Sequence, residues 1–471
     1  MSDRRLPVLV ALATVVAGIV VADRVVPSDP GTGFGDVGSF VMPVADRASA
    51  LSSTWYCAAG AADGDGAGDL TVTVANPVDA ARPGTVSWFP SEGAVVTADF
   101  EVAGGGVTTL AASEAVTAPV VSALVETRGG GVAVEHRLGG PQGSVVAPCA
   151  SGASPRWYLA NGATTVDARQ RLFLFNPFPE DAIVDVTFAT DQGRDRPPGL
   201  VGLPIASGST KVIEVGEFVR RREVTATSVV ARSGRLVVDR LQGFDPAGGR
   251  SGLSLALAAP SPAQVWTFPD GVYGEGTTER WHVYNPGDRD AVVALELVPE
   301  GGEAIEPLEL TVPGQAQVVV DASDPARVAP GTRHASVVRS RNGVPVVAER
   351  QVDARSSPRG WSSSLGAPRP FARWVVAAGG GDEVEESLAL YNPGAEPVKV
   401  TARASAEGRV APVEGLEGVE LGPSGRAVVE LAPGRPPRSV VVEAGGPVVV
   451  ARELDRVGEA GLSTAVGVPL S

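Results

Sequence analysis

Few residues of this 471-residue chain have the type and spacing to do chemistry. Asp63, Asp65 and Asp69, in Asp-Gly-Asp-Gly-Ala-Gly-Asp, supply hard oxygen ligands at the spacing of a calcium loop. The bidentate glutamate that should close such a loop is missing, because Val74 stands at the twelfth position. The other reading is a solvated hairpin loop. His136, His282 and His334 lie far apart in the sequence, with no nucleophile pattern near any of them. There is no Gly-x-Ser-x-Gly elbow, and Lys211 and Lys399 sit outside any phosphate loop. Two cysteines and three scattered histidines do not make a zinc set. No catalytic residue and no cofactor is therefore assigned, and the chain reads as a non-enzyme. Carboxylates are plentiful enough to keep an envelope hydrolase as the lesser alternative.

Cys57 and Cys149 carry a different chemistry. They bracket one stretch of chain, which suggests a disulfide joining its first and last strands in an oxidising compartment. Closing a loop of that length stabilises by about 4.5 kcal/mol in the chain-entropy model. Two free buried thiols are the alternative.

The compartment follows from the N-terminus. Arg4 and Arg5 precede an uncharged run, residues 6–22, which at 1.5 Å per residue spans roughly 25 Å of helix. We read it as a single transmembrane anchor with residues 1–5 in the cytoplasm and the bulk outside. The alternative is a signal cleaved near Val20 and Ala22, leaving a secreted protein. Residues 23–40 are rich in Pro, Gly and Asp, as in a linker. A net charge of −15 without clustered cations excludes a nucleic-acid partner.

The elements that must position these residues repeat four times. Trp55 leads to Asn76, Trp157 to Asn176, Trp266 to Asn285 and Trp374 to Asn392, and Pro follows each Asn. The Trp-to-Asn distances are 21, 19, 19 and 18 residues, and a fixed period of this kind decides the fold. After each Asn-Pro comes an alternating strand such as Val292-Val293-Ala294-Leu295-Glu296-Leu297, then a Gly- or Pro-containing turn, then a further strand. A hairpin follows, ending in a recurrent acidic and basic pair: Glu135-His136-Arg137, Asp239-Arg240, Glu349-Arg350, Arg452-Glu453. That pair reads as a strand-face salt bridge, with a functional site as the alternative. Seven or so strands, period-two patterning and frequent turns make each copy an antiparallel β-sandwich, Ig-like or jelly-roll-like. No helix is expected beyond the anchor. The boundaries are 41–156, 157–265, 266–373 and 374–471, with Val41–Thr54 resembling the tail of a further copy. The repeated tryptophans read as core or as plugs between copies; a sugar-stacking platform is the alternative.

The recurring tryptophan, the Asn-Pro step, the Val-Pro-Gly turn, the Val-Pro-Val-Val hairpin and a late Leu-Ser-Thr resemble the β-sandwich of the sensory-rhodopsin-transducer family. The third copy carries them most fully. That family forms four-subunit rings, so the resemblance implies a fourfold arrangement, here fused into one chain. The whole layout is similar to an actinobacterial family of exported proteins of unknown function. The resemblance implies fold and placement and supplies no catalytic residue. The resulting expectation is an all-β chain of four tandem sandwiches behind an anchor. It would act as a binding or scaffold component of the cell envelope, with an envelope protein or a cell-wall glycan as partner.

Overall fold

A computed structural model of the chain describes residues 41–471, apart from 65–67, 141–142, 246, 248–249, 273, 275, 301–304, 323–329, 355–359, 382–383, 407–408, 433 and 457–460. The apolar run 6–22, the linker and Asp65 fall outside the described residues. No helix among the described residues is long and apolar enough to cross a membrane.

The fold is all-β and built of antiparallel sheets. In the third quarter of the chain one sheet runs in the order Val265–Phe268, His334–Ser340, Ala291–Pro299, Leu308–Val312. The second runs Ala316–Asp321, Thr277–Asn285, Val347–Ala354, Gly360–Leu365. The other three quarters keep that order, except that in the second Ala182–Thr190 pairs with both Gly193–Asp195 and Leu203–Ile205, which gives that sheet five strands. In the fourth, the long strand Gly434–Arg456 serves both sheets. The closing phrase of each quarter is itself a strand, which makes eight in the first and third quarters and nine in the second, where about seven were expected.

Patterning explains the strands. In Val398–Ala406, Val398, Val400 and Ala402 are buried while Lys399, Thr401 and Arg403 are exposed, as a half-buried strand requires. Alternation fails in Val237–Phe244 and Val347–Ala354, where every residue is buried. One face of these strands meets the opposing sheet of its own quarter, and the neighbouring quarter covers the other. Thus Ser52–Cys57 packs on Val237–Phe244, and Arg156–Leu159 on Val347–Ala354. Val265–Phe268 packs on Gly434–Arg456, and Phe371–Gly381 returns to Asp69–Asn76 and Ala133–Gly140. The closing strands Gly143–Pro148, Gly252–Leu257, Gly360–Leu365 and Ser463–Val466 also touch in cyclic order, the last meeting the first.

The segment before the first quarter joins this circuit at its closure. Ala45 bridges Leu470, its N–H donating to the Pro469 carbonyl at 2.9 Å, and the Val44 N–H donates to Ser151 Oγ at 3.0 Å. Helix is confined to single turns. One helical turn covers Val215–Phe218, directly after the strand Ser209–Glu214, and 3-10 turns cover Ala112–Glu114 and Pro198–Leu200.

Candidate functional site

The repeat-marking residues prove to be internal supports. Trp55, Trp157, Trp266 and Trp374 are buried, at 0–1% exposure, so none offers a face to a sugar and the stacking-platform reading fails. Three of the indoles donate to a backbone carbonyl: Trp157 to Leu236 at 2.8 Å, Trp266 to Val346 at 2.7 Å and Trp374 to Val448 at 2.9 Å. The asparagines act as clamps. Asn176 Nδ2 donates to the carbonyls of Glu180 at 2.8 Å and Ile205 at 3.1 Å, while its Oδ1 accepts the Phe178 N–H at 3.1 Å. Asn76, Asn285 and Asn392 make the same set. A side chain that closes its own turn while holding a strand two turns away explains why each quarter needs Asn before Pro.

The recurrent acidic and basic pairs come together across the seams between quarters. Glu135, Asp239 and Glu349 occupy one register position, opposite the residue three before the clamp asparagine. Each carboxylate faces the preceding quarter. Asp239 accepts the N–H groups of Ala58 and Ala59, both at 2.9 Å, and lies 3.2 Å from His136 Nε2. Glu349 accepts the N–H groups of Ala160 at 2.7 Å and Asn161 at 3.2 Å, and pairs with Arg240 at 2.9 Å. Glu135 pairs with Arg452 at 3.0 Å, which joins the last quarter to the first. All these side chains are at most 2% exposed. The sequence predicts strand-face salt bridges for these pairs. They are buried between quarters because the outer face of the strand is covered there.

The seam between the third and fourth quarters is built differently. Ala451 occupies the acid's register position. Pro269 stands three residues after Trp266, where Ala58 and Ala160 stand after their tryptophans, and it has no N–H to offer. Arg350 turns instead to Glu279 of its own quarter, which also meets His334 Nε2 at 3.0 Å. Burial would raise the Glu279 pKa, but Arg350 and His334 hold it below the usual carboxylate range. Arg426 crosses the seam, donating to the Pro269 carbonyl at 2.8 Å, to Asp270 at 2.5 Å and to Glu300 at 2.8 Å. Burial likewise opposes ionisation of Asp270, and Arg350 and Arg426 keep its pKa lowered.

Residues 106–360, over half of the chain, match a family of unknown function, DUF5719. The chain belongs to that family. No curated protein matches it. Among solved structures it is similar to the Anabaena sensory rhodopsin transducer, at 28% identity over 19% of this chain and 88% of that one, with a TM-score of 0.17. It is also similar to Thermotoga maritima 1070, at 18% identity over 23% and 95% of the two chains, with a TM-score of 0.21. TM-scores this low say nothing about function.

In this DUF5719 protein the other expected sites resolve as follows. Cys57 and Cys149 are bonded to each other, and His136 Nδ1 lies 3.3 Å from Cys149 Sγ. Among the described residues, Cys57, His136 and Cys149 form the one grouping with metal-ligand types, and the disulfide occupies two of its three donors. Asp69 Oδ1 accepts the Gly64 N–H at 3.3 Å, while Asp65 lies outside the described residues. His282 is buried and donates from Nε2 to Gln351 Oε1 at 2.9 Å; burial, chiefly, pushes its pKa down to about 3. Near the closing strands, Val41, Met42, Leu255, Leu257, Leu365 and Val466 surround a cavity of about 60 Å³, too small for a ligand of several atoms. The chain packs its own N-terminal segment there.

Sequence reasoning missed the seams. The one signal available was that the acidic and basic pair recurs at a fixed place in a strand otherwise rich in valine.

Proposed function

We propose that residues 41–471 are four tandem antiparallel β-sandwich repeats closed into a single-chain pseudo-fourfold ring. In this reading residues 6–22 anchor the ring at the outer face of the cell membrane, where it is a non-catalytic binding or scaffold component of the envelope. The observation that carries it is the circuit of seams, in which the fourth quarter packs back on the first and Arg452 meets Glu135. A closed circuit fixes the relative positions of all outward-facing loops, which suits a scaffold and does not need a converging set of acids and bases.

Scattering separates a ring from a row. With ~13 Å as the radius of gyration of a 100-residue domain, four at the corners of a square give about 27 Å and a straight row about 40 Å. The expected value for 41–471 is the smaller; a value near the larger removes the ring. Protease added to intact spheroplasts should digest the repeats, and full protection would refute the outward placement. Pull-down from envelope extracts should then enrich a specific envelope protein.

A further inference from the structure

The four seams are not equally filled. At the first, the Phe178 ring lies 6.1 Å from that of Tyr56, and Arg235 sits 4.2 Å over Phe178. Phe178 is the second residue after its clamp asparagine, and the residue at that place in the third quarter is Gly287. The second seam therefore lacks the ring that plugs the first. A cleft of about 280 Å³ opens there, between the second and third quarters.

Its floor is Tyr158, the counterpart of Tyr56, together with Phe188 and Tyr284. The Tyr284 hydroxyl is 2.8 Å from Ser228 Oγ. Gln315 stands in one wall at φ +58°, where the first two quarters have Gly105 and Gly208 at +63° and +61°. A left-handed residue with a Cβ is strained, and here the side chain it carries beside the cleft donates from Nε2 to Asp288 Oδ1, which leaves its amide oxygen to meet a ligand hydroxyl. Ser424, at φ +53°, makes the same exchange in the fourth quarter.

The mouth is cationic. Arg194 and Arg196 line it with Asp185. Asp185 is already shared by Arg196 at 3.0 Å and Arg232 at 2.8 Å. Among the described residues, Arg194 has no carboxylate partner. In a chain of net charge −15 an uncompensated guanidinium at the mouth of a hydroxyl-lined cleft selects for an anion.

We infer that this cleft binds an acidic sugar unit, its carboxylate or phosphate on Arg194 and its hydroxyls on Ser228, Asp185 and Gln315. The apolar face of the sugar ring rests against Tyr158 and Pro286. The site needs only the second and third quarters and stands apart from the scaffold reading.

Calorimetry on the full-length chain in detergent, titrated separately with glucuronate, glucose 6-phosphate and glucose, tests it. At least one acid should bind at a millimolar Kd or better, with glucose at least about tenfold weaker, the worth of one charge-assisted hydrogen bond. Binding of only one acid identifies the group as carboxylate or phosphate. Gly287→Phe restores the plug of the first seam. Phe178 and Val78 hold the same place beside the same asparagine clamp, so the variant should fold with its melting temperature unchanged and lose binding. Arg194→Gln should bring the acids down to the affinity of glucose. No binding by either acid, equal binding of glucose, or unchanged binding by a folded Gly287→Phe would each overturn the inference.

Discussion

The second and third seams solve one problem in opposite ways. At the second, the third quarter sends Glu349 back to two free N–H groups and a buried arginine. At the third, Pro269 has removed a donor, and the acid has gone with it. A carboxylate left there would lose a hydrogen bond in a dry seam, a cost of about 1–3 kcal/mol or more. The pairing is therefore rebuilt with reversed polarity, a cation from the fourth quarter reaching acids of the third. The comparison teaches that donors and charges change together. Strand order within the sheets is kept by patterning, and each seam is kept by satisfying whatever polar groups the strand end presents.

The largest expected effect comes from opening the Cys57–Cys149 bond, which closes a separation of 92 residues and should stabilise by about 4.5 kcal/mol. Because Ala58 and Ala59 follow Cys57, reduction should raise amide exchange at the first seam and leave that around Arg426 unchanged. Equal loosening of both would end the view that seams are independent.

Next is Glu349→Ala, which strands the buried Arg240 and the Ala160 and Asn161 N–H groups. The expected cost is about 3–5 kcal/mol, read from the urea midpoint. A loss under about 1 kcal/mol would mean that this pair carries nothing.

Acid should separate the two seams by pH window. His282 stays neutral in the fold down to about pH 3, while in the unfolded chain it takes a proton near pH 6.5. Its stabilising contribution is therefore present above pH 6.5 and falls on acidification, by up to about 1.4 kcal/mol per pH unit. At pH 5 that is about 2 kcal/mol, transmitted through Gln351, which accepts from Asn161 across the second seam at 3.2 Å. Glu279 and Asp270 have lowered pKa values, so their contribution holds above the ordinary carboxylate range and is lost only as pH drops through it, below about pH 4. His282→Asn should flatten the loss between pH 6.5 and 4. A slope that persists in the variant assigns it elsewhere.

The smallest effect is expected away from any seam. Arg169 pairs with Glu214 on an open strand face, with side chains 66% and 30% exposed. Arg169→Ala should change stability by no more than about 1 kcal/mol, and less in high salt.

The succession of strands along the chain was legible because its causes are local. A tryptophan beginning a strand, an Asn that clamps its own turn, and valines alternating with polar residues act within a few residues of themselves. The bond between Cys57 and Cys149 was legible for a related reason, since both ends bracket the first quarter of the chain. The apolar run 6–22 and the role of Asp65 lie beyond the described residues, so for them the sequence reading stands alone. What only the tertiary structure decided is what the outer face of each hairpin strand meets. Asp239 finds Ala58 across 181 residues, and Arg240 finds Glu349 across 109. The cleft at the second seam gathers Tyr158, Arg194 and Tyr284 from separate strands of two quarters. Periodicity says which side of a strand is apolar. It carries no information about which other sheet will be laid over the remaining side, because that depends on how whole quarters pack, and a residue such as Gly287 acquires its meaning only from the ring that is missing opposite it.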